Sequence, residues 1–549
     1  MRSGFVTSWM LAVVVLATLL AMSPASAQGG GFKKAMPQQK LERLQANPTS
    51  VNQVSDSVTN LAQKIARAIA SPKSKTEIFS PVSIAGALSL LLLGASGRTQ
   101  QELMRVMGFS DGQLSFQEIH FAFGRLFQDL VANDPTLVPL VTWRVNDKCN
   151  RYDEEEDYED EFPPANTTAN TKELEIEVGN AIFAKEGTTF DPRYDKLAKD
   201  LYKSELKQLD FERDEAGSVR AINSWVNKET HGRISDIVSH ISPETIMMIV
   251  NTLYFRGLWE ETFQPMATKN RPFFPNGPAE GPIDVPMMGK SGCMPYYFWP
   301  EENIRVLGVP YKQNVTMYIL MPTNSTRSSV QALQGKIDAN TMNNLIAKMR
   351  MKSVTLLMPK MHVSNSISLK AVLEQLGAAT LFQRDSAELT RLIQSRLGDD
   401  DPNSLLDELE DTKENAKKKL VMRANNCNTY EKIGIGRAAC LKEDQCEWGG
   451  GTCVCCLQID QEDDFRRRRR DTSVGMASEN KTVMYVSEML HKVDLTVNEV
   501  GTEGGAATAT LIDRMSSQVT FHANGPFVMV IREETTRLPL FYGTVYNPK

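Results

Sequence analysis

A chain of 549 residues with 61 basic and 67 acidic side chains, 41% hydrophobic and 23% charged, has an ordinary globular composition. It is long enough for several domains or one large domain with insertions, and collagen-like, wholly disordered and many-pass membrane chains are excluded. A formal net charge of -6 gives no overall attraction to phosphate backbones, so nucleic acid is not expected among its partners.

The N-terminus carries one charged side chain, Arg2, then an apolar run from Trp9 to Ala21 and the small residues Ser23-Pro24-Ala25-Ser26-Ala27. That pattern reads as a secretory signal peptide, residues 1–27. The run is shorter than the ~20 residues that cross a bilayer and no later one replaces it, so no membrane attachment is expected. Residues 28–50, rich in Gly, Gln and Lys, read as a flexible tail. From Val58 to about Phe109, Leu61, Ile65, Ala68 and Ile69 recur at helical spacing, and Ser80-Pro81 opens a further helix. Serine there caps free amides and proline sits where its missing N–H costs nothing; the end is expected near Gly94 and Gly97.

Composition then changes abruptly. Residues 143–172 centre on Arg151 to Pro164, where Asp and Glu crowd around Tyr152 and Tyr158. Like charges at that density repel and build no core, so this is a solvated acidic insertion. Globular patterning resumes at Leu174, strand-like over Ile176 to Phe183, helical over Ala216 to Thr230, and β-rich at Met247 to Phe255, Val306 to Tyr311, Met317 to Met321 and Val354 to Met358. A second insertion, residues 393–480, holds an acidic stretch, six close cysteines and the run Arg466-Arg467-Arg468-Arg469-Arg470. Patterning returns at Val483, and Gln518 to Lys549 reads as a terminal β-hairpin turning at Glu533 to Thr536.

Cys149 and Cys293 stand apart, whereas Cys427, Cys440, Cys446, Cys453, Cys455 and Cys456 cluster. In a secreted chain such a cluster suggests a small disulfide-stapled module whose pairing the sequence leaves open. Cys453 and Cys456 have zinc-ligand spacing, but no second pair of that form and no nearby His completes a site, and no metal is expected. Four sequons, at Asn166, Asn314, Asn324 and Asn480, are open to glycosylation on the secretory route.

Enzyme signatures fail. His-Glu-x-x-His and Gly-x-Gly-x-x-Gly are absent, and the six histidines show no ligand spacing. Gly289-Lys290-Ser291 resembles the end of a phosphate loop, but Asp284 stands where that loop needs glycine. No catalytic constellation and no cofactor site is expected. The informative stretch is instead a run of small side chains, Glu499-Val500-Gly501-Thr502-Glu503-Gly504-Gly505-Ala506-Ala507-Thr508, which follows a strand-like segment. Alone it would read as a linker, but small and β-branched residues also let a loop enter a sheet without steric conflict.

This run resembles the reactive-centre-loop hinge of the serpins, the serine protease inhibitor family. The resemblance continues in Tyr485 to Lys492 before it and in Phe521 to Phe527 and Pro539 to Pro548 after it. Phe79 to Ile84, Asn223 to Val226, Thr230 to Ile234, Asn251 to Trp259 and Val285 to Met288 also fall in family order. The serpin domain is accordingly read as residues 51–392 and 481–549. The resemblance implies a mixed α/β (α+β) fold of three β-sheets surrounded by about eight to nine helices, with an exposed reactive-centre loop near the C-terminus.

It further implies an extracellular partner, a serine protease of the chymotrypsin class, caught by suicide-substrate trapping as the cleaved loop inserts into the main sheet. The alternative is a non-inhibitory serpin, a ligand carrier or binding protein. Ser80, Ser83 and His491 match positions beneath the opening sheet, and Trp259 matches the aromatic where insertion begins. The family's usual spacing from the first hinge Glu, counted from Glu499, implies Met515 as the bait residue and Met515-Ser516 as the cleaved bond; Arg514, with the bond to Met515, is the alternative for a trypsin-like pocket. Glycines at 504 and 505 and Val500 depart from the usual hinge. Arg466 to Arg470 meets the dibasic requirement of furin-like proprotein convertases. Tyr152 and Tyr158 are sulfation candidates in an arm that would steer a basic protease. A secreted monomer is expected.

Overall fold

The computed structural model describes residues 44, 46–110, 112–132, 141–144, 149, 173–394, 406, 407, 409, 430–432, 446–449, 452–455, 484–502 and 519–549, the three short segments between 430 and 455 as backbone only. Compact packing unites Leu44–Lys549. The signal peptide, residues 28–43 of the tail, and most of both insertions lie outside the described residues.

In chain order the elements are α1 (Pro48–Ile69), β1 (Thr76–Phe79), α2 (Pro81–Gly94), α3 (Gly97–Met107), α4 (Phe116–Ala132), β2 (Leu174–Lys185), α5 (Pro192–Tyr202), β3 (Glu205–Leu209), α6 (Glu215–Glu229) and β4 (Met247–Leu258). They continue with β5 (Lys269–Phe273), β6 (Ile283–Trp299), β7 (Ile304–Pro310), β8 (Val315–Pro322), α7 (Arg327–Gln334), α8 (Ala339–Lys348), β9 (Arg350–Pro359), β10 (Met361–Ser368) and α9 (Leu369–Leu376). Last come β11 (Tyr430–Lys432), β12 (Cys446–Gly449), β13 (Thr452–Cys455), β14 (Glu488–Val497), β15 (Gly501–Thr502), β16 (Val519–His522), β17 (Phe527–Glu533) and β18 (Pro539–Val545).

The strands form three sheets among the described residues. The largest has nine strands along the path β1-β18-β17-β8-β7-β6-β9-β16, with β5 joined to β6. The second runs β10-β14-β15-β4-β2-β3, and a small third, β11-β13-β12, lies in the cysteine-rich segment. With nine α-helices described, this is the mixed α/β architecture that the sequence implied.

Helix α2 is buried on every side because its residues are almost all small or apolar. Ser80 caps it, accepting the Ser83 N–H, with Pro81 in the first turn. It touches β2 and β4 of the six-stranded sheet and β18 of the nine-stranded one, so it joins their cores. The opposite face of β2 and β4 packs on α6: Ala181, Phe183, Met248 and Val250 meet Ile222, Trp225 and Val226. The period-two alternation along these strands thus serves two separate cores.

Several boundaries differ from the sequence reading. The body begins at Leu44, whose N–H donates to Gln128 Oε1 at 2.8 Å, and α1 begins at Pro48 with Asn47 as its cap, inside the span read as tail. Asn-Pro is itself a helix start, which the apolar periodicity from Val58 onward obscured. Trp143, read as the first residue of the acidic insertion, is buried in the main core. Beyond Leu392, Ile393 bridges Phe190, Leu406 and Leu409 are buried, and Asp407 pairs with Arg193 at 2.7 Å. Apolar side chains thus persist within composition dominated by charge. Cys149 and Cys293, which stood apart in sequence, are bonded to each other, with their Cα atoms 5.8 Å apart.

Candidate functional site

Three polar residues lie in register across three adjacent strands of the six-stranded sheet: Asn180 on β2, Asn251 on β4 and His491 on β14. All three are fully buried, and His491 and Asn251 hydrogen-bond Ser80 and Ser83 at the start of α2. His491 Nε2 accepts the Ser80 N–H at 3.0 Å, so Nδ1 carries the proton and donates to Asn251 Oδ1 at 2.5 Å. Ser83 Oγ donates to Asn251 Oδ1 at 3.1 Å or to the Thr252 carbonyl at 3.2 Å. Burial drives the imidazole pKa down from 6.5 to about 3, against the opposing bond to Asn251. Strands and helix are therefore stitched together through a neutral histidine.

This row is also where pairing changes. Strands β4 and β14 pair directly, in parallel, only over Met248–Thr252 and Glu488–Lys492. Farther along, β15 stands between them, Gly501 opposite Leu258 and Thr502 opposite both Gly257 and Val497. On that edge of β4, Leu253 to Arg256 has neither partner among the described residues. Gly501 is required here, because a Cβ would collide with the Gly257 carbonyl oxygen.

Trp259 and its neighbours hold the entry. Its ring stacks on Tyr311 with centroids 4.1 Å apart, and Nε1 donates to the Asn498 carbonyl at 2.9 Å. The Trp259 N–H donates to Val500 O at 3.0 Å, and Tyr311 Oη lies 2.7 Å from Thr502 Oγ1. Glu499 is fixed by Lys360 Nζ at 2.9 Å and Thr268 Oγ1 at 2.8 Å. Burial opposes its charge, but these donors outweigh it and hold the carboxyl below its ordinary range.

Of the residues singled out in the sequence, Ser80, Ser83 and His491 therefore meet in one buried cluster, while Trp259 joins Glu499, Gly501 and Thr502 in another. Glu503 to Thr508 and Arg514, Met515 and Ser516 lie outside the described residues, as do Tyr152, Tyr158, Asn166, Asn480 and Arg466 to Arg470. Asn324 is exposed in a turn, whereas Asn314 Nδ2, the atom a glycan would take, donates to Thr535 Oγ1 at 3.1 Å. Asn180, Tyr311 and Lys360 carry no motif in the sequence, and Asn251 enters there only as the first residue of a family-like run, with no site role. An asparagine within apolar β-runs, as in Ile249-Val250-Asn251-Thr252 and Val178-Gly179-Asn180-Ala181, is the signal that marks Asn180 and Asn251, since strands disfavour it.

A model described as Serpin (serine protease inhibitor) matches residues 56–403 and 458–548. The interval between those matches contains all six clustered cysteines. Serine protease inhibitor 28Dc of Drosophila melanogaster is 30% identical over 506 residues, covering 90% of this chain and 80% of that protein. Antithrombin-III of Homo sapiens is 24% identical over 477 residues, 85% of this chain and 76% of its own. Among solved structures, human thyroxine-binding globulin bound to thyroxine superposes with a TM-score of 0.62 at 21% identity, covering 91% of this chain and 100% of that one.

Proposed function

Because this chain belongs to the serpin family, a family of serine protease inhibitors, we propose that it is a secreted inhibitor that captures an extracellular serine protease as a covalent complex. The observation that carries this reading is the pairing of Gly501 and Thr502 between β4 and β14, where the sheet takes the start of the loop as a strand. The protease supplies the nucleophile and attacks the bait bond, Met515-Ser516 or alternatively Arg514-Met515. Once that bond is cut, Glu503 to Thr508 follow Thr502 into the sheet. Leu253 to Arg256 then gain ladder hydrogen bonds, and the acyl-enzyme is carried away before water resolves it. Native stability is in this sense kinetic. Gly504 and Gly505 each cost roughly 0.5–1 kcal/mol relative to alanine, small against a whole strand.

The insertions and modifications belong to the same reading. A convertase cuts after Arg470. The acidic segment, with sulfate on Tyr152 and Tyr158, speeds encounter with a basic protease in a salt-dependent way. Its N-terminal end is rooted on β6 by the Cys149–Cys293 bond. Glycans occupy Asn166, Asn314, Asn324 and Asn480, of which exposed Asn324 is the most accessible described position.

The test is incubation with trypsin-like, chymotrypsin-like and elastase-like proteases, followed by denaturing gels and sequencing of the released C-terminal peptide. An SDS-stable complex and a peptide beginning at Ser516 or Met515 are expected. Thr502→Arg should convert the inhibitor into a substrate, because an unpaired charge at that fully buried position costs several kcal/mol. Undiminished complex formation by that variant would remove Thr502 from the hinge. Failure with every protease would favour the ligand-carrier or binding-protein reading.

A further inference from the structure

The face of the six-stranded sheet that carries α6 also carries Glu175 and Glu177, two residues apart on β2 and therefore side by side. Helix α6 ends at Glu229, and the turn that follows brings His231 over the same place. His231 adopts a left-handed backbone, φ 49°, in a turn fixed by Gly232 N–H to Asn227 O at 2.8 Å and Ile234 N–H to Thr230 Oγ1 at 3.0 Å. Its ring lies against Tyr254, the cross-strand neighbour of Glu177, with centroids 4.4 Å apart.

One ligand atom from each of Glu175, Glu177 and His231 lies within 4.8 Å of the other two. His231 Nε2 is 3.0 Å from Glu177 Oε2, and both side chains remain open to solvent, 46% and 40% exposed. We propose that these three residues form a binding site for one zinc-class divalent cation, completed by water. One imidazole and two carboxylates match the borderline softness of zinc, whereas calcium and magnesium prefer all-oxygen sites. Ligand bonds of about 2.0–2.2 Å require the three atoms to close by only a fraction of an ångström each. The Tyr254 ring holds the imidazole in place, the supporting role that neighbours of metal ligands commonly play. Arg256, opposite Glu175, and Lys228, near Glu177, soften the local negative charge but supply no ligand atom. The bound ion would tie the end of α6 to β2 across residues 54 apart in the chain.

The experiment is calorimetric titration of the full secreted chain with zinc chloride, alongside His231→Ala and Glu177→Gln. Comparison with the variants subtracts zinc taken up elsewhere. The wild type should bind one equivalent more than either variant, or bind that equivalent at least tenfold more tightly, and zinc should raise its unfolding temperature more than theirs. Calcium and magnesium should not compete. Circular dichroism without metal checks that each variant folds; Glu177→Gln, nearly isosteric, decides the matter if His231→Ala does not. Indistinguishable isotherms for wild type and a folded variant would overturn the site.

Discussion

His491 has one acceptable protonation state. Its Nε2 receives a backbone N–H at the start of α2, where the free amides make the potential positive, so a second ring proton would point into a donor. His120 is also fully buried, beside the Tyr202 hydroxyl, and burial followed by the charge of Arg391 takes its pKa to about 3. Both depart from an ordinary value of 6.5. The unfolded chain therefore takes up protons below pH 6.5 that the folded chain refuses. Stability from these two residues is complete above that pH and is lost as pH falls toward 3, by about 1.4 kcal/mol per pH unit for each. Urea unfolding at pH 7.5, 6.0 and 5.0 should show it. His491→Gln, which cannot protonate, starts less stable but should lose about 1.4 kcal/mol per unit of the acid slope; an unchanged slope would mean that His491 titrates normally.

At the scale of the element, β15 is two residues long yet has strands on both sides. It fits because position 501 has no side chain. Gly501→Ala should drive the segment out from beside Gly257, at a cost typical of overpacking, about 1–3 kcal/mol. Hydrogen exchange at Trp259 and Thr502 should then accelerate while the Met248–Thr252 pairing stays protected. Equal protection in both proteins would mean that β15 does not depend on glycine. Sequence patterning carried the element scale well: the helix start at Ser80-Pro81, the strand at Met247 and the terminal hairpin all stand where periodicity and turn residues put them. It could not show that Asn180 and Asn251 face His491, because register between β2, β4 and β14 is fixed by packing and not by any one strand. Glu175, Glu177 and His231 escaped notice for the same reason, since ligand spacing is a local signal and their meeting is tertiary. Low apolar content likewise hid Leu406 and Leu409.

For the whole molecule, the segment after Arg470 contributes β14 to the interior of one sheet and β17 and β18 to the interior of the other. It contains no cysteine. A convertase cut after Arg470 should thus yield a C-terminal fragment of about 79 residues, 471–549, on reducing and non-reducing gels alike. Under native conditions the fragment should co-elute with the body, because separating them would expose fully buried strands on both sides. Replacing the five arginines by Gln should leave one band. A single band from the unmodified protein secreted by convertase-containing cells would refute processing and make the run a polyanion-binding candidate, read by salt-dependent retention on heparin.

The pairing of β1 with β18 sets a schedule for synthesis. Thr76 meets Val545, so a strand made early waits for one made far later in the chain. The six-stranded sheet cannot close before β14 is made, since β14 lies between β10 and β4, and the nine-stranded sheet waits longer, for β17 between β8 and β18. Until then, the nascent chain exposes unpaired strand edges that invite pairing with other chains. Closure of both sheets is therefore expected late in synthesis, and chaperones that cover those edges before β14, β17 and β18 arrive should raise the yield of folded protein.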